Sequence, residues 1–460
     1  MDSVLAYIDN NQERFLTELR AWVKIPSVSA VPEHKADMAR SAEHLAAELR
    51  RLEADRVETW PTKGHPAVFA EWMKAPGRPT LLVYGHHDVQ PVDPVELWAS
   101  PPFDATIHDG RIWGRGVADD KGQVHIHLKA IEAFVKAAGK LPLNLKLIVE
   151  GEEEIGSENL AEVLRDKARD LAADFVCVSD TSMFGPDIPS VCVALRGLMY
   201  LQVRVDGPAS DLHSGSFGGG VANPVNALAR MIARLHDDSG RVLVPGFYDK
   251  VRELSAAERQ EIAGLPFDEK AWLRSTGAPA AFGEKGYSTL ERIWTRPTLD
   301  CCGIHGGFGG EGAKTIIPAF AVAKISSRLV ADQDPEDIRA LVSRFLERVA
   351  PPGVRVTVTY LHGGLPYLAP TDHPAYDVAR RAFSKAFGRP TVFMREGGSI
   401  PIMRTITDAM GKPCLLLGFG QPDENSHAPN EWLDLENYRR GMKCVAYLYE
   451  ELATLASDRR

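Results

Sequence analysis

No apolar run in this 460-residue chain approaches the ~20 residues that a membrane span requires. The opening segment, MDSVLAYIDNNQERFLTELRAWV, spaces Val4, Ile8, Phe15, Leu19 and Trp22 at helical intervals with charges between them. A secretory signal would need a continuous apolar stretch there. No dense Lys/Arg block is present either, and 53 basic against 62 acidic residues leave a net charge of -9. Nucleic acid and other polyanions are therefore disfavoured as partners. The six cysteines contain no CxxC pair, and three of them sit inside apolar runs where buried free thiols are ordinary, which suits a reducing compartment. Low-complexity segments and clear repeats are lacking as well. These absences predict a soluble cytoplasmic protein with no membrane contact.

What is present is enough apolar material, 44% of the chain, to build large cores. The length exceeds the ~250–300 residues at which single cores usually divide, so two domains are expected. Up to about Arg196, helical patterns near 4–23, 37–53, 121–138 and 158–171 alternate with short apolar strands at 80–84, 143–149 and 174–178. That alternation argues for βαβ units in an α/β fold with a mixed, largely parallel sheet. Near Gly197 the pattern changes. MYLQVRVDG reads as a half-buried strand, followed by a helix over 223–238, a strand over 319–330, a helix over 335–350 and a strand over 353–363. These suggest an α+β layer resembling a split βαβ unit, ferredoxin-like in order. A Pro/Gly-rich link at 363–370 then returns the chain to helix and strand. The expected division is a catalytic domain of 1–196 and 367–460 with 197–366 inserted into it; residues 240–300 are assigned to the insertion.

Five polar clusters carry the chemistry: GHHD at 85–88, GRGVADDKG at 114–122, GEEEIGS at 151–157, SD at 179–180 and NSHAPNE at 425–431. Four of them follow the runs LLVY, LNLKLIVE, DFVCV and CLLLGF, which read as buried parallel strands. Ligands of open α/β sheets bind beyond the carboxyl ends of the strands, so the clusters should converge. The converging groups are a ligand set for a two-metal hydrolase. In H-x-D one imidazole can bind metal while the carboxylate two residues on orients it. Alternation along an extended segment turns His86 and Asp88 one way and His87 the other, which favours His86 as the ligand. Asp119, fixed by a glycine turn before a helix, can bridge two cations with its two oxygens. Three glutamates after a buried strand are costly unless cations or protons compensate. Glu154 is then a ligand, and Glu153 the base that takes the proton of the attacking water and passes it to the leaving amine. Asp180 and His427 add one ligand each. Singly, each cluster has a plainer reading as a helix cap, a solvated acidic loop or a turn.

The order and wording of these clusters resemble the M20 metallopeptidase family over nearly the whole chain. GHHDVQP is similar to its H-x-D-V motif, GRGVADDKG to G-R-G-x-x-D-x-K-G, and EEIGS to E-E-x-G-S. The resemblance implies the same ligands, His86, Asp119, Glu154, Asp180 and His427, with Asp88 as orienter and Glu153 as general base. It further implies two divalent ions per subunit, zinc first and manganese as the alternative, and a cis peptide between Asp119 and Asp120. An aspartate at position 180 is associated in the family with dipeptidases and aminopeptidases. The inserted domain implies a lid and a homodimer contact, with His213 of DLHSG reaching the partner's site to stabilise the oxyanion. Thr315, also across the interface, and Arg328 would hold the substrate's free carboxylate, with Gly398 and Ser399 helping at the same end. One departure stands out: Asp300, Cys301 and Cys302 occupy the place where dipeptidases of the family commonly carry Asn-Ile.

The expected function is hydrolysis of dipeptides, or of short peptides with a free C-terminal carboxylate, by hydroxide generated on two metal ions. An N-acyl-amino-acid deacylase shares that chemistry and is the alternative. A nucleotide enzyme built on the glycine-rich segment 306–315 fails the phosphate-loop template, because Ala313 separates glycine from Lys314.

Overall fold

The apolar runs that precede the polar clusters form the middle of one sheet. The computed structural model describes residues 1–398 and 401–456, and the chain divides into two compact units. The first comprises 1–193, 369–394 and 402–460. Across its sheet the strands run Arg56–Trp60, Ala67–Trp72, Asn144–Glu150, Thr80–His86, Phe175–Ser182, Cys414–Gly420 and Ser190–Leu195. The four central strands, Asn144–Glu150 to Cys414–Gly420, are mutually parallel, and the flanking pairs are antiparallel. Both faces of the central strands are covered, which is why they read as unbroken apolar runs. Helix Lys121–Ala138 is buried from Lys121 to Phe134 and ends at Gly139 in the left-handed conformation.

The second unit comprises 194–368 and 395–401. Its four-stranded antiparallel sheet has the order Asp300–Gly306, Phe320–Leu329, Gly197–Asp206, Arg355–Gly364. With helices Pro224–Ala233 and Pro335–Val349 between strands, this is the split βαβ arrangement. Met199, Leu201, Val203, Val205, Ala321, Ala323 and Ile325 turn to the core, and Leu228, Met231, Val342 and Leu346 of the helices meet them there. The side chains of Asn223 and Asp334 cap those helices.

Several expected elements differ in detail. The helical pattern over 4–23 is two helices, Asp2–Asn10 and Gln12–Val23, interrupted at Asn11. The pattern over 158–171 likewise divides into Leu160–Asp166 and Ala168–Leu171. The strand expected to end at 178 continues to Ser182, so Asp180 lies within it. The glycine-rich segment 306–315 leaves an antiparallel edge strand, Asp300–Gly306, and leads to the two-residue strand Ile316–Ile317. It opens no helix, which removes the basis for a phosphate loop. Among the described residues, no helix is long and apolar enough to cross a membrane.

Candidate metal centre

Asp119 stands at the centre of two groups of metal-ligand type. Its Oδ1 lies 3.1 Å from His86 Nε2, and its Oδ2 lies 3.0 Å from His427 Nε2. His86 Nε2 is also 3.7 Å from Asp180 Oδ1, and His427 Nε2 is 3.1 Å from Glu154 Oε2. Two clusters result, His86–Asp119–Asp180 and Asp119–Glu154–His427, each with ligand atoms within 4.8 Å of one another and with Asp119 in both. His86 ends the strand Thr80–His86, Glu154 follows Asn144–Glu150, and His427 follows Cys414–Gly420. The Asp119–Asp120 peptide is cis. His87 faces away, with Nε2 3.2 Å from the Pro66 carbonyl.

The residues behind these groups hold them in place. Asp88 lies 3.4 Å from His86 Nδ1 and accepts from Ser29 Oγ at 2.7 Å and from the backbone N–H groups of Glu153 and Glu154 at 3.3 and 3.1 Å. Gln90 Nε2 donates to Glu154 Oε2 at 2.8 Å. Glu431, fully buried, accepts from the backbone N–H groups of Gly116, Ala118 and Asp119. Lys121 Nζ donates to the Ile25 carbonyl at 2.7 Å, and burial pushes the ammonium down to about 7. The turn requires its glycines: a Cβ on Gly122 would stand 1.9 Å from the Val117 carbonyl oxygen, and Gly116 has φ +85°. Ser29, Gln90 and Glu431 escaped the sequence reading. Glu431 had one signal, its place in the NSHAPNE cluster.

The electrostatics fit cations. Burial, and after it the charges of neighbouring carboxylates, raises Glu153, Glu154 and Asp180 above the usual carboxylate range. Burial would raise Asp119 too, but its contacts with His427 and His86 overturn that and hold it low. The carboxylates of Asp119 and Glu154 lift His427 to about 10. Such crowding of acids is costly without compensating positive charge, and divalent ions supply it. Imidazole and carboxylate donors without thiolate suit a divalent ion rather than a soft one. A third acidic trio, Glu18, Glu48 and Glu132, also has ligand spacing, but Lys129 Nζ sits among them at 2.6, 2.5 and 3.0 Å and neutralises it.

In the second unit the structure brings His213 and Thr315 together and leaves Arg328 apart from them. Leu212–His213 pairs with Ile316–Ile317, Ser214 N–H donates to the Thr315 carbonyl at 3.0 Å, and His213 Nδ1 accepts from Gly215 N–H at 3.1 Å. Arg328 lies near the far end of Phe320–Leu329, roughly 25 Å along the strand from Phe320 at about 3.3 Å per residue. Gly398, which is exposed, accepts at its carbonyl from Arg196 N–H at 3.1 Å. Ser399 lies outside the described residues.

Comparison with known proteins is consistent across sequence and structure. The model of Peptidase family M20/M25/M40 matches residues 82–451. Cys-Gly metallodipeptidase dug1 of Schizosaccharomyces pombe is 34% identical, with 99% of each chain covered. Beta-Ala-His dipeptidase of Homo sapiens is 32% identical over 99% of this chain and 93% of its own. Among solved structures, human carnosine dipeptidase 1 superposes with a TM-score of 0.83 at 32% identity, covering 99% of both chains. The di-peptidase Dug1p of Saccharomyces cerevisiae gives 0.82 at 31% identity, covering 99% of this chain and 98% of the other.

Proposed function

The chain belongs to peptidase family M20/M25/M40, and from that membership we propose that it hydrolyses dipeptides with a free C-terminal carboxylate at a centre of two divalent metal ions. The observation that carries this reading is Asp119, whose two oxygens face two separate His-containing clusters. His86, Asp119 and Asp180 would hold one ion, and Asp119, Glu154 and His427 the other, zinc being favoured and manganese the alternative. When bound, the ions supply Lewis acidity, which polarises the peptide carbonyl and makes water acidic enough to attack at neutral pH.

The protein's own groups do the rest. Glu153 belongs to neither cluster, while Asp88 fixes its backbone N–H. Its carboxylate is therefore available to take the proton of the attacking water and deliver it to the leaving amine. Asp88 orients the His86 ring, which leaves Nε2 to face the cluster. Arg328 pairs with the substrate's carboxylate, while His213 stabilises the oxyanion.

A homodimer follows from the same reading. His213 and Thr315 lie at the short Leu212–His213/Ile316–Ile317 ladder, which joins the chain near the Phe320 end of the four-stranded sheet, whereas Arg328 is near the opposite end of Phe320–Leu329; this separation supports a carboxylate pocket completed by two copies. In that arrangement His213 and Thr315 serve the partner's site. The test is the metal content of the purified protein together with turnover on dipeptides, longer peptides and N-acetyl amino acids. Stoichiometric metal with hydrolysis confined to dipeptides supports the reading; turnover of N-acetyl amino acids alone replaces it with a deacylase.

A further inference from the structure

The segment carrying Gly397 and Gly398 is gripped by a residue to which nothing above assigns a role. Arg196 stands between strands Ser190–Leu195 and Gly197–Asp206. Its Nε donates to the Gly397 carbonyl at 3.0 Å, and its backbone N–H donates to the Gly398 carbonyl at 3.1 Å. The packing is close: a Cβ on Gly397 would stand 2.9 Å from Arg196 Nη2 and 3.2 Å from the Ile293 carbonyl. Arg196 thus fixes this turn through both its backbone and its side chain.

The sheet register brings a second guanidinium alongside. Gly197 pairs with Leu329 and Leu198 with Arg328. Met199 and Leu201 point into the core, so Leu198 and Arg328 lie on the opposite face. Arg196, one step before Gly197, falls on that same face as a diagonal neighbour of Arg328. Burial and the adjacent Arg328 charge push the Arg196 guanidinium down to about 10, with Asp300 acting in the opposite sense. Two cations held this close beside a glycine turn favour an anion, and a guanidinium fork matches a carboxylate.

We infer that Arg196 is a positioning residue for the carboxylate end of the dipeptide. It fixes the Gly397–Gly398 turn against which that end rests, and its charge adds to that of Arg328. The inference rests on the dipeptidase reading above and goes beyond it by tying selectivity for a free C-terminus to a residue outside the ligand clusters.

The test compares Arg196→Met and Arg196→Lys in the metal-loaded full-length protein, using one dipeptide and its C-terminal amide. Loss of the clamp on the turn together with one positive charge beside the carboxylate predicts a KM for the free dipeptide about tenfold higher or more in Arg196→Met, with kcat held within about threefold. The KM of the amide stays put, and Arg196→Lys recovers part of the loss. Hydrogen exchange over 395–398 rises in Arg196→Met, which reads the clamp without turnover. Equal losses on both substrates, or an unchanged KM for the free dipeptide, overturn the carboxylate role; unchanged exchange overturns the clamp. If the wild type hydrolyses no dipeptide at all, it is the dipeptidase reading that fails, and exchange alone then decides whether Arg196 holds the turn.

Discussion

Arg115 Nη1 and Glu431 Oε2 meet at 2.7 Å with both side chains buried, although 316 positions separate them in the chain. The same carboxylate accepts from the backbone N–H groups of Gly116 and Ala118 at 2.9 Å each and of Asp119 at 3.1 Å. The loop that presents Asp119 and the loop that presents His427 are thereby fastened to one side chain.

Replacing that side chain should affect the metal site and the fold together. In Glu431→Ala the Arg115 charge stays buried without its counter-ion, a defect that costs about 3–5 kcal/mol. Glu431→Gln keeps one acceptor but turns an NH2 group towards other donors, so it loses less stability. Supports of this kind change metal affinity by about 10–100-fold. Urea unfolding and metal titration read the two effects separately, and undiminished metal affinity in both variants would refute the positioning role of Glu431.

Glu153 and His427 should part company under mutation. Glu153→Gln removes the proton carrier and leaves both ligand clusters whole, so metal content is retained while turnover falls by at least about 100-fold. His427→Ala deprives the Asp119–Glu154–His427 cluster of its imidazole, and metal occupancy itself drops. Metal analysis beside kcat distinguishes the two, and loss of metal from Glu153→Gln would reassign it as a ligand.

The parts of the fold that the sequence made legible are those with burial on both faces. Thr80–His86, Asn144–Glu150 and Cys414–Gly420 are buried along nearly their whole length and so are rich in apolar residues, and the polar residues at their ends stand out by contrast. Strand Asp300–Gly306 gave no such signal: it is an edge strand exposed on both faces, and DCCGIHG alternates in nothing. The break at Asn11 is hidden inside one amphipathic pattern because the helices on either side of it both turn buried faces inward, through Val4 and Ile8 and then Phe15 and Leu19. Glu431 was out of reach for another reason. Besides Arg115, its partners are backbone N–H groups more than three hundred residues away, and hydrogen bonding to the main chain leaves no mark on the partner's residue type.

Subunit mixing tests the shared site. With His213 serving the partner's centre, His213→Ala and Glu153→Gln homodimers are each impaired, whereas a heterodimer of the two carries one centre with both groups intact. Mixing equal amounts and allowing exchange predicts recovery towards a quarter of wild-type activity, since about half of the dimers are mixed and each has one working centre. Exchange verified by differently tagged subunits with no recovery of turnover would place His213 in its own subunit's site.

His127 should contribute a measurable share of the protein's acid sensitivity, alongside the buried His87 and His125. Its Nδ1 hydrogen-bonds with the Tyr449 hydroxyl at 2.9 Å and its Nε2 with Ser179 Oγ at 2.7 Å, with all three side chains buried. Burial alone pushes the imidazole down to about 3 from an ordinary 6.5. The folded protein therefore resists protonation that the unfolded chain accepts, and the unfolded state binds more protons between those two values. Stability from this residue is complete above about pH 6.5 and is lost as pH falls towards 3, at up to about 1.4 kcal/mol per pH unit. A His127→Gln variant cannot take up that proton. Chelator-treated wild type and variant, unfolded in urea at a series of pH values from 7 to 4, should differ by an amount that is constant at the neutral end and shifts steadily against the wild type below it. Comparing two proteins that share every other acid-sensitive group cancels the rest of the titration, so a difference that stays flat down to pH 4 would show that His127 is protonated in the folded state without cost.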